Sequence, residues 1–438
     1  MTAPIGSPAA KSRKGTQQGR IRETGMPLVR RAVRPDRDAR AFLRILNKAT
    51  RLRPVENYSL RELREVWRLT ALALSHQPPV ATVTEVVIDG PGGPIELRIF
   101  TPEPTGQHLP AFLWFHGGGF VVGGLDTAES ICRSTTCHAD CISIAVRYRL
   151  APEHDLAAGR EDCLAALRWV AEQGATLGVD TTRLAIGGDS AGGNICAAVA
   201  QATLRQGGPA LCLQVLAYPA TDLVQEFASL VENAEGFMIT DKLLAQIKHT
   251  VSDSFEALNP VDPWLSPRRS PDLRGLPPAM LISAGFDPIR DDGLDYAARL
   301  RAAGVSVELL HYAGQFHGFL NFDAIIGAGR DALQRMGETL AAAFRGESVQ
   351  DRTVEISDAV STRPSSLCAA TAELSTAGLM TWIATERWSG TLLRQVSPIA
   401  VGTTRVLLQP LCLPVTLMRR RLVARLDQRV AHQTYRKT

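Results

Sequence analysis

The stretch Gly187-Gly188-Asp189-Ser190-Ala191-Gly192-Gly193 decides how this chain is read. It stands where a short apolar run, 184–187, predicts a strand and where 191–205 predicts an apolar helix. A serine in that position has a physical use. The strained strand-to-helix turn lifts the Ser190 hydroxyl clear of the backbone, and Cβ atoms at positions 188 and 192 would clash, so both are glycine. The helix N-terminus brings the Ala191 N–H and a positive dipole end to an oxyanion formed there. Taken alone, the motif also fits a glycine-rich turn with an incidental serine, so its neighbours must decide.

Working outward, His116-Gly117-Gly118-Gly119-Phe120 directly follows the apolar run 111–115. Three glycines leave backbone N–H groups unshielded, and beside a nucleophile such groups can turn toward an acyl oxygen as it becomes negative. A phosphate-cradling loop is the rival. It is the weaker reading, because no Lys-hydroxyl pair follows and the glycine spacing does not match a dinucleotide fingerprint. His116 precedes the serine by a strand and a helix, and reads as fixing the loop by hydrogen bonding.

Downstream, Asp287 lies in Gly285-Phe286-Asp287-Pro288, after the strand candidate 279–283. A buried carboxylate there could hold a histidine in the right tautomer. Asp291 and Asp292 read instead as the N-cap and first turn of the next helix. Beyond Asp287 stand three histidines: His311 at a strand end, His432 in the tail, and His317 in Gln315-Phe316-His317-Gly318-Phe319, on a loop. His317 is the best-placed base. The order Ser190, Asp287, His317 is that of an α/β-hydrolase and differs from the chymotrypsin and subtilisin orders.

These loops sit inside a longer rhythm. A hairpin over 86–99 turns at Gly90-Pro91-Gly92-Gly93, and strand candidates follow at 111–115, 142–148, 184–187, 211–218, 279–283 and 305–311. Helix candidates at 159–174, 191–205, 291–303 and 322–344 alternate with them, the signature of a mostly parallel sheet covered on both faces. The fold class is thus α/β, an α/β-hydrolase sheet flanked by helices with a helical cap. Residues 35–82 form the N-terminal cap, 83–345 the catalytic domain, and 222–260 a second cap insertion, since ligands bind at the carboxyl ends of such strands. Extra packing helices away from the site are the alternative reading of both insertions. Residues 1–34 read as a basic disordered arm, 346–366 as a polar linker, and 367–438, with Trp382, Trp388 and Arg419-Arg420-Arg421, as an extension without a motif.

At these residues the sequence resembles the hormone-sensitive lipase family of α/β-hydrolases, the bacterial family IV esterases, over roughly 83–345. HGGGF at 116–120, YRLAPEH at 148–154, GDSAGG at 188–193, DPIRDD at 287–292 and HGF at 317–319 carry the resemblance. It implies Ser190 as nucleophile, His317 as base and Asp287 as its partner. It also implies an oxyanion hole from the N–H groups of Gly118, Gly119 and Ala191, with Gly117 shaping the loop and Asp189 and Glu153 supporting the site. Members are mostly carboxylesterases on short or medium acyl chains, without metal or cofactor, so a small-molecule ester is the implied partner. An amidase, deacetylase or lipase with the same triad remains an alternative. So does a non-catalytic binding member of the fold, although such receptors lack the catalytic histidine.

Composition bounds the rest. The chain has 438 residues, 45% hydrophobic and 21% charged, near ordinary soluble usage. Its net charge of +4 hides a division: residues 1–60 hold 14 Lys/Arg against 4 Asp/Glu, 61–350 hold 22 against 34, and 351–438 hold 12 against 6. An acidic body argues against a nucleic-acid site, and the basic arms leave peripheral membrane contact open, as they do a homodimer. Cys132, Cys137, Cys141 and His138 form the only cluster of metal-ligating type; 132–141 reads as a helix ending at a strand, so free thiols and no metal are expected. The first thirty residues lack an apolar core for a secretory signal, which leaves a cytoplasmic default. The apolar run 406–418 contains Pro410 and Pro414 and is too short to span a bilayer.

Overall fold

The computed structural model describes residues 25–358 and the strand backbone of 429–434. Two helices, α1 (Arg37–Leu52) and α2 (Leu60–Leu74), precede the sheet. Helix α2 starts where Ser59 and Glu62 form a reciprocal capping box, satisfying two N–H groups that the helix cannot. The chain then makes the antiparallel hairpin β1 (Thr82–Gly90) and β2 (Gly93–Thr101), paired through Gly90 and Gly93 across the tight turn.

From there strands and helices alternate: β3 (Leu109–Phe115), α3 (Leu125–Ala139), β4 (Ile142–Arg147), α4 (Leu156–Gln173), β5 (Val179–Asp189), α5 (Ala191–Arg205) and β6 (Leu211–Ala217). Three short helices follow, α6 (Ala228–Glu232), α7 (Asp241–Thr250) and α8 (Ser252–Ala257). Then come β7 (Ala279–Phe286), α9 (Arg290–Ala302), β8 (Val307–Phe316), α10 (Gly327–Phe344), β9 (Arg352–Asp358) and β10 (Arg429–Thr434). The strands form one sheet in the order β1-β2-β4-β3-β5-β6-β7-β8-β9-β10. Pairing is parallel from β4 through β9 and antiparallel at both margins.

Strands β7 and β8 are buried along their whole length, as a parallel sheet covered on both faces requires. One face packs on α3, α10 and α1 through Ile131, Leu333, Met336 and Phe42; the other packs on α4, α5 and α9 through Leu167, Ile195 and Leu294. Successive βα loops therefore emerge at one edge, where Ser190, Asp287 and His317 follow β5, β7 and β8.

Two boundaries differ from the sequence expectation. The polar segment 346–366 is not a linker throughout, because Arg352–Asp358 is β9, parallel to β8. Only Val354 and Ile356 alternate inward, too few apolar residues to stand out as a pattern. The first residue of the strand is matched to its surroundings. Arg352 pairs with Glu308 at 2.5 Å, and Arg301 donates to the Arg352 carbonyl at 2.8 Å. Nor is all of 1–34 a loose arm: the Ala32 N–H donates to the Ala313 carbonyl and the Asp36 N–H to that of Gly314, both at 2.9 Å. His311 joins this seam, its Nδ1 at 2.7 Å from Ser283 Oγ and its Nε2 at 3.1 Å from the Arg30 carbonyl; burial pushes its pKa down to about 3. Residues 1–24 and 359–428, with the tryptophans and arginine run of the extension, lie outside the described residues.

The integration of β9 has a measurable consequence. Ile356 is fully buried, so Ile356→Ala should destabilise the protein by about 2–5 kcal/mol in urea unfolding. A change within about 0.5 kcal/mol, ordinary for a surface or linker position, would contradict a structural β9.

Candidate active site

Ser190 adopts φ 56° and ψ −117°, a left-handed conformation that a non-glycine residue takes up only under constraint. The constraint is local packing. A Cβ at Gly188 would run into the Gly192 carbonyl, and one at Gly192 into the Phe115 carbonyl, so the turn closes only with glycine at both. Backbone bonds finish it: the Ser190 N–H donates to the Ala217 carbonyl at 2.9 Å, and its own carbonyl accepts from Asn194 at 3.1 Å.

The turn points the hydroxyl at His317. His317 Nε2 lies 2.9 Å from Ser190 Oγ, and His317 Nδ1 lies 2.8 Å from Asp287 Oδ2. Asp287 is fully buried and its Oδ1 accepts from the Ile289 N–H at 2.8 Å, which fixes the carboxylate plane. The Tyr218 ring packs against the imidazole with centroids 4.8 Å apart. The hydroxyl, ring and carboxylate are thus aligned for proton transfer from Oγ to Nε2 with the cation stabilised at Nδ1.

The glycine loop lies beside this line. Gly118 has φ 128° and Gly119 φ 61°, and among the described residues their N–H groups donate to no protein acceptor. Ala191 opens α5, so its N–H is one that the helix leaves unpaired. Gly117 is different. Its N–H donates to Asp189 Oδ1 at 2.8 Å, which removes it as a donor to substrate. His116 stacks on Tyr148 at 4.2 Å, and burial pushes its pKa down to about 4, so the ring is neutral and structural. The Tyr148 hydroxyl donates to the His116 carbonyl at 2.6 Å.

Asp189 joins two loops. Its Oδ1 takes the Gly117 N–H and its Oδ2 the Asn321 side-chain amide at 3.2 Å, linking the glycine loop to the segment after His317. Burial outweighs these donors and pushes the carboxyl up to about 6. Glu153 stands farther out, half exposed, and takes a bidentate contact from Arg64 of α2 at 2.6 and 2.7 Å. Arg64 also donates to the Val121 and Ala151 carbonyls at 2.8 and 3.0 Å, so one guanidinium pins α2 to the turn that follows Gly119.

Several partners were not legible in sequence. Asn321, Asn233 and Arg64 belong to no motif, and Asn233 donates to the Asp287 carbonyl at 3.0 Å. Asp291 and Asp292 do lie in the first turn of α9, but they reach sideways rather than capping it. Asp291 accepts the Ser229 N–H at 2.9 Å, and Asp292 accepts the Thr221 N–H and hydroxyl, both at 2.6 Å. They anchor the start of α6 and the chain leading into it to the first turn of α9, beside the loop that holds Asp287. Burial pushes Asp292 up to about 7. Beneath α5, the buried Arg160 donates to Asn194 Oδ1 at 2.5 Å and to the Leu156 carbonyl, with Phe120 stacked at 5.0 Å.

A serine-histidine-aspartate line at the carboxyl ends of parallel strands, beside backbone N–H groups without acceptors, defines the class: a serine hydrolase. A family model described as the alpha/beta hydrolase fold matches residues 112–321. Esterase LipI of Mycobacterium tuberculosis is 43% identical over 266 residues, covering 60% of this chain and 83% of its own. The ethyl acetate hydrolase of Pseudomonas putida is 33% identical over 252 residues, 57% of this chain and 79% of that protein. Among solved structures, the hyperthermophilic esterase of Pyrobaculum calidifontis superposes with a TM-score of 0.64 at 34% identity, covering 69% of this chain and 97% of that one. The chain belongs to the α/β-hydrolase family and is a serine carboxylesterase. No helix among the described residues is long and apolar enough to cross a membrane.

Two outcomes follow from the geometry. With a folded pKa of about 6 against about 4 unfolded, Asp189 holds its proton in the folded state across that window. Its contribution to stability therefore falls as pH rises from about 4 to about 6. Asp189→Asn should remove that fall, so that the stability of the variant relative to the wild type rises by on the order of 3 kcal/mol between about pH 4 and about pH 6; a constant difference would contradict the assignment. Arg64→Ala should raise KM several-fold on a soluble ester by freeing the cap. Arg64→Lys should recover only part, since an ammonium cannot make the bidentate contact, and unchanged kinetics in both would contradict the anchor.

Proposed function

We propose that Ser190 is the nucleophile of an acyl-enzyme cycle on short- to medium-chain carboxylic esters. His317 removes the serine proton as Oγ attacks the acyl carbon, and Asp287 stabilises the imidazolium that forms. The carbonyl oxygen becomes anionic and is held by the N–H groups of Gly118, Gly119 and Ala191. As the intermediate collapses, His317 protonates the leaving alcohol. Water then attacks the acyl-enzyme with His317 again as base, and the carboxylic acid departs.

The observation that carries this reading is the unbroken run Ser190 Oγ, His317 Nε2, His317 Nδ1, Asp287 Oδ2, with gaps of 2.9 and 2.8 Å. The chain-length limit draws support from the cap. A Cβ at Gly119 would lie 2.8 Å from Ile247 Cδ1, so α7 presses directly on the glycine loop and narrows the room for an acyl chain. The relative from Pseudomonas putida, an ethyl acetate hydrolase, fits a small acyl group.

Initial rates on p-nitrophenyl esters from acetyl to palmitoyl test both parts. Ser190→Ala and His317→Ala should each lower kcat by about 10⁴-fold or more while leaving the fold intact by circular dichroism. The intact protein should favour acetyl to hexanoyl esters over palmitoyl, and Ile247→Ala should extend the usable chain. A palmitoyl optimum, or activity retained in either triad variant, would contradict the proposal.

A further inference from the structure

Helix α1 changes character along its length. Its first half is enclosed: Ala39, Ala41, Phe42 and Leu43 are buried against the sheet layer and the cap. Its second half projects, and two rows of side chains face outward there. Arg44, Lys48 and Arg51, at i, i+4 and i+7, form a basic row, and Ile45, Ala49 and Leu52, at the same spacing one residue on, form an apolar row beside it. All six are exposed, Ile45 at 39% and Leu52 at 82%.

Basic residues near a helix C-terminus have an ordinary explanation, since they complement the dipole. That accounts for Arg51 and not for Leu52 and Ile45 held in water next to it. Lys48 and Arg51 have no carboxylate partner among the described residues, although this body carries an excess of acid. A basic row alongside an apolar row on one helix face is the chemistry of a helix lying in a lipid headgroup layer, with cations on anionic headgroups and the apolar row at the acyl boundary.

We propose that this face of α1 docks the enzyme on an anionic lipid surface. The chain's own N-terminal arm is a poor occupant, because Lys11, Arg13, Lys14, Arg20 and Arg22 would repel the basic row. A second copy meeting the face symmetrically would set like charges against each other. The placement has a use: α1 is part of the roof over the site. Asn47 of α1 donates to the Gly236 carbonyl of the second cap insertion at 3.1 Å, and α7 in that insertion bears Ile247 on the glycine loop. Docking by α1 holds the cap side of the enzyme against a surface in which esters dissolve. The sequence expectation put membrane contact in the terminal arms, most of which lie outside the described residues; the proposed face is a separate one, on α1.

Sedimentation of the full chain with phosphatidylcholine vesicles, with and without about 30% phosphatidylglycerol, tests the proposal. Binding should need the anionic lipid and weaken with salt. Lys48→Glu/Arg51→Glu should lower the partition coefficient about tenfold or more, while Arg168→Glu, an exposed basic site elsewhere, should not. Ile45→Ser/Leu52→Ser should weaken binding at high salt as well. All variants should keep wild-type rates on a soluble acetyl ester, which establishes that they fold. Binding left unchanged by the α1 reversal, equal binding to neutral vesicles, or no binding at all would overturn the proposal. A dimer that the reversal dissolves would assign the face to a second copy and overturn it too. Sedimentation reads docking even for Ser190→Ala, so its outcome is distinguishable from the fate of the nucleophile assignment.

Discussion

The site depends on one constrained turn. Between β5 and α5 the chain must reverse so sharply that Ser190 is driven to positive φ and the carbonyls of Phe115 and Gly192 fill the space where Cβ atoms of Gly192 and Gly188 would sit. Strain of this kind persists only where the surroundings over-determine it. Here a buried parallel strand fixes one side, an apolar helix fixes the other, and the Ala217 carbonyl takes the Ser190 N–H. The same closeness that strains the turn packs the start of the glycine loop against it, with the Phe115 and His116 carbonyls pressed on Gly192.

Buried carboxylates arrange the loops around that turn. Asp287 orients His317, Asp189 ties the glycine loop to Asn321, and Asp292 ties the Thr221 turn after β6 to α9. Each is a charge removed from water, a cost acceptable only where N–H and O–H donors meet it. Asp189 and Asp292, for which burial outweighs the donors, are held nearer neutrality than an ordinary aspartate. A cation does the same work from α2, where Arg64 gathers Glu153 and two carbonyls into one contact.

Much of this arrangement was legible in sequence because the candidate catalytic groups lie in short motifs at strand ends. Ser190, Asp287 and His317 each follow an apolar run, and the parallel-sheet rhythm places those run ends side by side. What escaped was set by contacts between distant segments. Arg64 meets Glu153 across 89 residues and Asn321 meets Asp189 across 132, and no local pattern marks Arg64 or Asn321. Strand β9 escaped for another reason: with only Val354 and Ile356 turned inward, its identity comes from the edge of β8 and from Glu308 and Arg301 waiting there, not from its own hydrophobicity.

The central claim is that Ser190, activated through His317, forms the covalent intermediate. The most direct measurement is reaction with a p-nitrophenyl phosphonate ester, followed by intact mass and peptide mapping alongside residual activity. One adduct per chain is expected, mapped to Ser190, accumulating in step with loss of esterase activity and absent from Ser190→Ala. A stoichiometric, inactivating adduct on another residue, or full inactivation without any adduct on Ser190, would contradict it.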